Sequence, residues 1–121
     1  MNGTLNAPAW LDTTRAVIET PDELDLVAAP RLRYALLDLA EAGCHRIVID
    51  MTGTSFMDST GMGVLVGGIK RARAAGGALV LAAAPERILR TLRITGLTKI
   101  LPCFATLAEA FAYFDETAAR P

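Results

Sequence analysis

Two kinds of apolar run alternate along this chain. RIVIDM at residues 46–51 and ALVLAAA at 78–84 are unbroken runs, the pattern of strands buried on both faces. RAVIE, Arg15–Glu19, reads as a shorter strand that stops at the breaker TPDE. KILPCF at 99–104 is expected as a further strand, with Pro102 pushing it toward a sheet edge. APAWLD at 7–12 is expected as a weak first edge strand, packed down by Trp10.

Helical spacing fills the intervals. Ala29, Leu32, Leu36 and Leu39 recur at three and four residues, and the segment closes at Gly43. Met62, Leu65, Val66, Ile69 and Ala72 repeat the pattern, with Lys70, Arg71 and Arg73 off the stripe and a Gly-Gly stop. Ile88, Leu89 and Leu92 mark a short helix opened by Pro85. Leu107, Ala110, Phe111 and Phe114 mark a last one, with Thr106 as N-cap and Glu109 completing a capping box.

Strands alternating with helices predict an α/β domain of parallel strands joined by helical crossovers. Its sheet core would be Val17, Ile18, Ile47, Val48, Ile49, Leu79, Val80, Leu81, Ile100 and Leu101. At 121 residues, with no linker or repeat, the chain is expected as one domain, 1–121. Residues 1–12 would be a weak strand or tail, and 115–121 a C-terminal tail.

Charge narrows the function classes. Twelve basic against thirteen acidic residues leave no basic footprint for nucleic acid and no attraction to an acidic membrane. No run approaches the ~20 apolar residues of a membrane span, and no export signal is visible. Cys44 and Cys103 lack ligand-spaced partners, so no metal or other cofactor is expected. The expectation is a cytoplasmic protein with reduced thiols.

One connection is rich in chemistry. DMTGTSFMDSTG lies between RIVID and the helix from Met62 and carries Asp50, Thr52, Thr54, Ser55, Asp58, Ser59 and Thr60. In parallel sheets functional groups gather beyond the carboxyl ends of the strands. Ser59 falls at or next to the N-cap, where backbone amides lack intrahelical partners and the dipole favours negative charge. A phosphate on Ser59 would add ~1.5 to 2 negative charges beside Asp58 without melting the helix. Asp-Ser-Thr is also ordinary capping chemistry. Gly61, Gly63, Gly67 and Gly68 in the same helix are costly at about 1 kcal/mol each and point to close approach by another backbone.

From 47 to 111 the chain resembles the STAS domains of bacterial anti-sigma factor antagonists. The hallmark is a strand ending in Asp, a short loop, then Asp-Ser-Ser/Thr-Gly-Leu/Met-Gly at a helix start; residues 47–63 match it. A Gly-Gly before a strand, a helix ending TGL and a final F.T..EA pattern extend the likeness over roughly 23–114. The resemblance implies a four- to five-stranded mixed β-sheet with about four α-helices in βα repeats. It also implies partner switching. The domain binds an anti-sigma factor of histidine-kinase-like ATPase fold and so frees a sigma factor. The partner phosphorylates the Ser after the Asp to end the contact, and a metal-dependent Ser/Thr phosphatase reverses this.

Carried onto this chain, the resemblance makes Ser59 the phosphorylation site, with Thr60 a second hydroxyl beside it. Asp25, Asp58, Ser59, Thr60, Gly61 and Met62 would form the partner-binding surface, and Asp50 would brace the loop. Two departures stand out: the family's GELD reads DELD, with Asp22 in place of a turn Gly, and Thr20-Pro21 interrupts the first strand region.

Other classes fit the chain less well. A receiver domain would be phosphorylated on Asp50, with Asp22 and Glu23 as its acidic pair, but Lys99 is not followed by Pro. An enzyme could pair Asp50 with Asp58, though neither a third carboxylate nor the lone His45 supports it. No catalytic triad or phosphate-binding loop is present, so the chain is expected to be a substrate and binding module, not an enzyme. A STAS module for some other partner is the remaining alternative. Tyr34, Leu37, Arg31 and Arg33 read as solvated helix surface, Met57 and Met62 as core or interface, and Arg87, Arg90 and Arg93 as a basic edge.

Overall fold

The computed structural model describes residues 8–118 except 11 and 13, and the side chains of these except Trp10, Thr117 and Ala118. The element order is β1 (Ala9–Trp10), β2 (Arg15–Glu19), β3 (Glu23–Leu24), α1 (Ala29–Glu41), β4 (Arg46–Asp50), β5 (Phe56–Met57), α2 (Ser59–Ala74), β6 (Ala78–Ala82), α3 (Glu86–Ile94), a 3-10 turn (Leu97–Lys99), β7 (Cys103–Phe104) and α4 (Leu107–Ala118). The main sheet runs β1-β2-β4-β6-β7. All neighbours in it are parallel except β1, which is antiparallel to β2. This is the mixed sheet with four helices that the family resemblance implies; the alternation of runs alone predicts its parallel part.

Strand alternation divides the core between two faces. Ile18, Ile47, Ile49, Leu79 and Leu81 join Leu32, Leu36 and Leu39 of α1, Leu65 and Ile69 of α2, and Ile88 and Leu92 of α3. Val48, Val80 and Ala82 face the other way, toward Ala110 and Phe114 of α4. The α1 stripe is buried as its spacing predicts. The helical stops are legible as well: Gly43, Gly76 and Gly96 follow α1, α2 and α3 with φ near +80° (84, 83 and 79). The capping box of α4 forms, Glu109 N donating to Thr106 Oγ1 and Thr106 N to Glu109 Oε1.

Four expectations need correction or adjustment. KILPCF is not one strand. After Gly96 the chain makes the 3-10 turn over Leu97–Lys99, and only Cys103–Phe104 pairs with β6. Ile100 and Leu101 therefore reach the core from a turn, where Leu101 is buried and Ile100 partly so. Pro102, lacking an N–H, contributes through its carbonyl, which accepts from Leu81 N. APAWLD pairs only at Ala9 and Trp10; Ala7, Leu11 and the packing expected of the Trp10 side chain lie outside what is described. The last helix continues to Ala118, into the stretch expected as tail.

The largest unforeseen feature is a second sheet. β3 and β5 form a two-residue parallel ladder, Glu23 opposite Phe56 and Leu24 opposite Met57. It fastens the segment after β2 to the loop before α2.

Candidate functional site

The mouth of α2 is built around one carboxylate. Asp58 is the N-cap, in extended conformation, and its Oδ1 accepts from Gly61 N at 3.0 Å. This satisfies one of the amides left without an intrahelical partner. Its Oδ2 accepts from Leu26 N at 3.0 Å, in the turn between β3 and α1. A single side chain thus caps one helix and holds the approach to another. Ser59, the residue after it, is the first residue of α2 and is exposed. Thr60 and Met62 are half-buried, and Gly61 is buried.

Asp25 closes the turn that leads into α1, whose N-cap is Ala28 without a side-chain cap. Its Oδ1 accepts from Val27 N and Ala28 N, both at 3.0 Å, and its carbonyl accepts from Ala29 N at 2.8 Å. Of the predicted surface residues, Asp25, Asp58, Ser59, Thr60, Gly61 and Met62 lie together at the two helix mouths.

Asp50 is elsewhere. Register puts its side chain on the Val48 and Ala82 face, the side covered by α4. There it is buried, and Oδ1 accepts from Thr52 N (3.0 Å) and Thr52 Oγ1 (2.6 Å). Its carboxylate closes a turn, and its carbonyl receives Thr20 N at 3.0 Å. It therefore does not converge with Asp58. Among the described residues no group of three or more His, Cys, Asp or Glu could hold a metal ion.

Beneath the site lies a buried polar hub. Thr54 Oγ1 donates to the Pro21 carbonyl at 2.7 Å and sits 2.6 Å from Thr20 Oγ1, both threonines being buried. With its one proton on Pro21, Thr54 accepts from Thr20. The irregular Thr20-Pro21 segment thus becomes a joint between loops. Asp22, which stands where the family has Gly, is used the same way: its Oδ1 accepts from Ser55 Oγ at 2.5 Å, and its carbonyl from Ser55 N at 2.8 Å.

The surface around Ser59 is apolar in a way the sequence reading missed. Leu26 is 69% exposed, Val27 72% and Phe56 47%. Leu26 and Val27 form the tip held by Asp58 and Asp25; Phe56 is the outer residue of the short ladder. The retrospective signal is that Leu26 and Val27 lie just before the α1 stripe. The glycines divide. A Cβ on Gly61 would meet the Leu24 carbonyl oxygen at 2.6 Å, the backbone approach expected. On Gly68 it would meet Leu79 Cδ1 at 2.8 Å, a side chain, and at Gly63 the space is open.

Comparison with known proteins agrees with this architecture. The family model described as STAS domain matches residues 11–110. The anti-sigma-B factor antagonist of Bacillus subtilis is 44% identical over 79 residues, covering 65% of this chain and 72% of that protein. A crystal structure of an anti-sigma factor antagonist from Mycobacterium paratuberculosis superposes with a TM-score of 0.81 at 24% identity, over 93% of this chain and 96% of the other. The Bacillus cell fate determinant SpoIIAA in its phosphorylated form gives 0.74 at 22% identity, over 92% and 99%.

Proposed function

The chain belongs to the STAS domain family, and from that premise we propose that it is an anti-sigma factor antagonist switched by phosphorylation of Ser59. Unmodified, it binds an anti-sigma factor of kinase-like ATPase fold and releases a sigma factor. The partner transfers a phosphoryl group from ATP to the Ser59 hydroxyl, and a metal-dependent Ser/Thr phosphatase removes it. The relatives' function as anti-sigma-B factor antagonists supports the first part. SpoIIAA, which shares the fold, exists in a phosphorylated form.

The observation that carries the reading is the exposed Ser59 at the start of α2, beside the exposed apolar tip Leu26-Val27. The hydroxyl is accessible to a partner's ATP site. The apolar residues give that partner something to bury, and large exposed apolar residues gathered in one place mark docking surfaces. A phosphate here would sit at the positive end of the α2 dipole and place about two negative charges in the middle of that surface. The docking face changes while the scaffold is left intact. The receiver alternative has no such support, because the Asp50 carboxylate is buried and held by Thr52.

Incubation with ATP and the kinase-fold anti-sigma factors of the source genome tests this. Phosphate is expected on Ser59, as an acid-stable ester, and Ser59→Ala should bind without being labelled. Undiminished labelling of Ser59→Ala, or an acid-labile phosphate, would overturn the assignment.

A further inference from the structure

An open groove of about 240 Å³ lies between β5 and α3, lined by Ser55, Phe56, Met57, Arg87, Ile88 and Thr91. Ile88 is part of the core, so the floor is apolar, and the half-exposed Phe56 ring forms one wall. The volume is below the roughly 300 Å³ at which small-molecule sites begin, which suits a large side chain better than a cofactor.

The polar groups of the rim are committed, with one exception. Ser55 Oγ donates to Asp22 Oδ1, and Thr91 Oγ1 donates to the Arg87 carbonyl at 3.3 Å. On α3 Arg93 pairs with Glu86. Neither Arg87 nor Arg90 has an acidic partner among the described residues. The groove therefore offers an apolar floor, an aromatic wall and a guanidinium without an acidic partner among the described residues, a combination that complements an apolar side chain flanked by an anion. Met57, on the rim of the groove, lies two residues before Ser59, so the groove adjoins the mouth of α2. The acids on the other side, Asp58 and Asp25, are already turned onto backbone amides.

Resting on the reading above, we infer that this groove docks an acidic segment of the anti-sigma factor that carries a large apolar side chain: the apolar group on Ile88 and Phe56, the carboxylate on Arg87. The groove would add selectivity among partners beyond the Ser59 contact itself.

Titration of the ¹⁵N-labelled protein with a capped peptide holding one Phe between acidic residues tests the groove without the partner. Amide shifts should cluster at Phe56, Ile88 and Thr91, with dissociation in the range of about 1 mM. Binding should weaken by about tenfold for the Asn/Gln peptide and be lost in Arg87→Glu. Equal binding of the acidic and neutral peptides, shifts elsewhere, or none at several millimolar would overturn the inference. With the anti-sigma factor, Arg87→Glu should raise KM for Ser59 phosphorylation about tenfold with kcat unchanged, and Arg87→Lys should recover most of it. An unchanged KM sinks the groove alone, whereas absence of Ser59 labelling in the unsubstituted protein sinks the reading beneath it.

Discussion

Leu24 and Gly61 are packed so closely that a Cβ on Gly61 would stand 2.6 Å from the Leu24 carbonyl oxygen. The same carbonyl accepts from Asp58 N at 3.2 Å. The first turn of α2 thus lies directly on β3, and the site keeps its shape because there is no room for a side chain between them. Gly61→Ala sets two effects against each other. Helix propensity favours Ala by about 1 kcal/mol. Forcing backbone apart at a contact this tight costs about 1–3 kcal/mol, and the obstacle is a carbonyl that cannot rotate aside. Net destabilisation is expected in urea unfolding. A variant as stable as the parent would show that β3 can yield.

The Thr54 hydroxyl is expected to be worth more than its size suggests. Thr54→Val keeps the shape but leaves the Pro21 carbonyl without a donor and Thr20 with a weaker partner, the Asp50 carbonyl at 3.3 Å. An unsatisfied buried polar group costs about 1–3 kcal/mol. Thr54→Ser keeps the hydroxyl and should lose clearly less. Equal losses in the two variants would mean that the methyl packing, and not the hydrogen bond, holds the joint.

These two contacts also show where the sequence is readable. β4 and β6 announce themselves as unbroken apolar runs of five residues, and α1 by a stripe that repeats over thirteen. β3 and β5 have two residues each, and no period exists in two residues. Their pairing follows from the parent sheet and from Asp22 and Leu24 carbonyls that happen to face Ser55, Phe56 and Asp58 amides. KILPCF misled for the opposite reason: its composition suits a strand, but Gly96 in the left-handed region starts a 3-10 turn that carries Lys99 out of the sheet. Ser59 and Asp58 were legible through capping chemistry. Leu26, Val27 and Phe56 were not, because an apolar residue in sequence does not declare whether it is inside.

Both thiols should resist modification in the folded state. Burial pushes the Cys44 thiol up, and the backbone contact at Arg46 offsets this only in part. Burial also pushes up Cys103, partly countered by the charge of Arg93. Since the thiolate is the reactive form, a disulfide reagent at neutral pH should react slowly with the native protein and rapidly with both cysteines once it is unfolded. Fast native reaction at Cys44, which is fully buried, would require the sheet edge near Thr14 to open.

Acid should loosen the β1 end of the sheet late. The Thr14 amide, followed by the Arg15 guanidinium, holds the Asp12 carboxyl down at about 2 from an ordinary 3.8. A depressed acid contributes its stabilisation above the unfolded value and loses it as pH falls through the folded one, so the window is between pH 3.8 and about 2. The Asp12 carboxyl carbon shift should have its NMR midpoint near the lower figure. A midpoint at the ordinary value would mean that the Asp12–Arg15 contact does not persist in solution.

The proposed switch predicts a separation between stability and binding. Ser59→Asp puts a carboxylate at the first position of α2, where the helix dipole favours it by about 0.3–1 kcal/mol and the neighbouring Asp58 opposes it. The two effects are of similar size and opposite sign. The unfolding midpoint should therefore move little, by less than about 1 kcal/mol in stability. Affinity for the anti-sigma factor should nevertheless fall by tenfold or more, because the added charge must be desolvated against a partner that covers Leu26 and Val27. Ser59→Ala should bind as the parent does. Calorimetric unfolding and titration on the same three proteins separate these quantities. If Ser59→Asp lost stability and affinity together, the phosphate would act by disturbing the α2 cap, and the surface-charge mechanism would have to be abandoned.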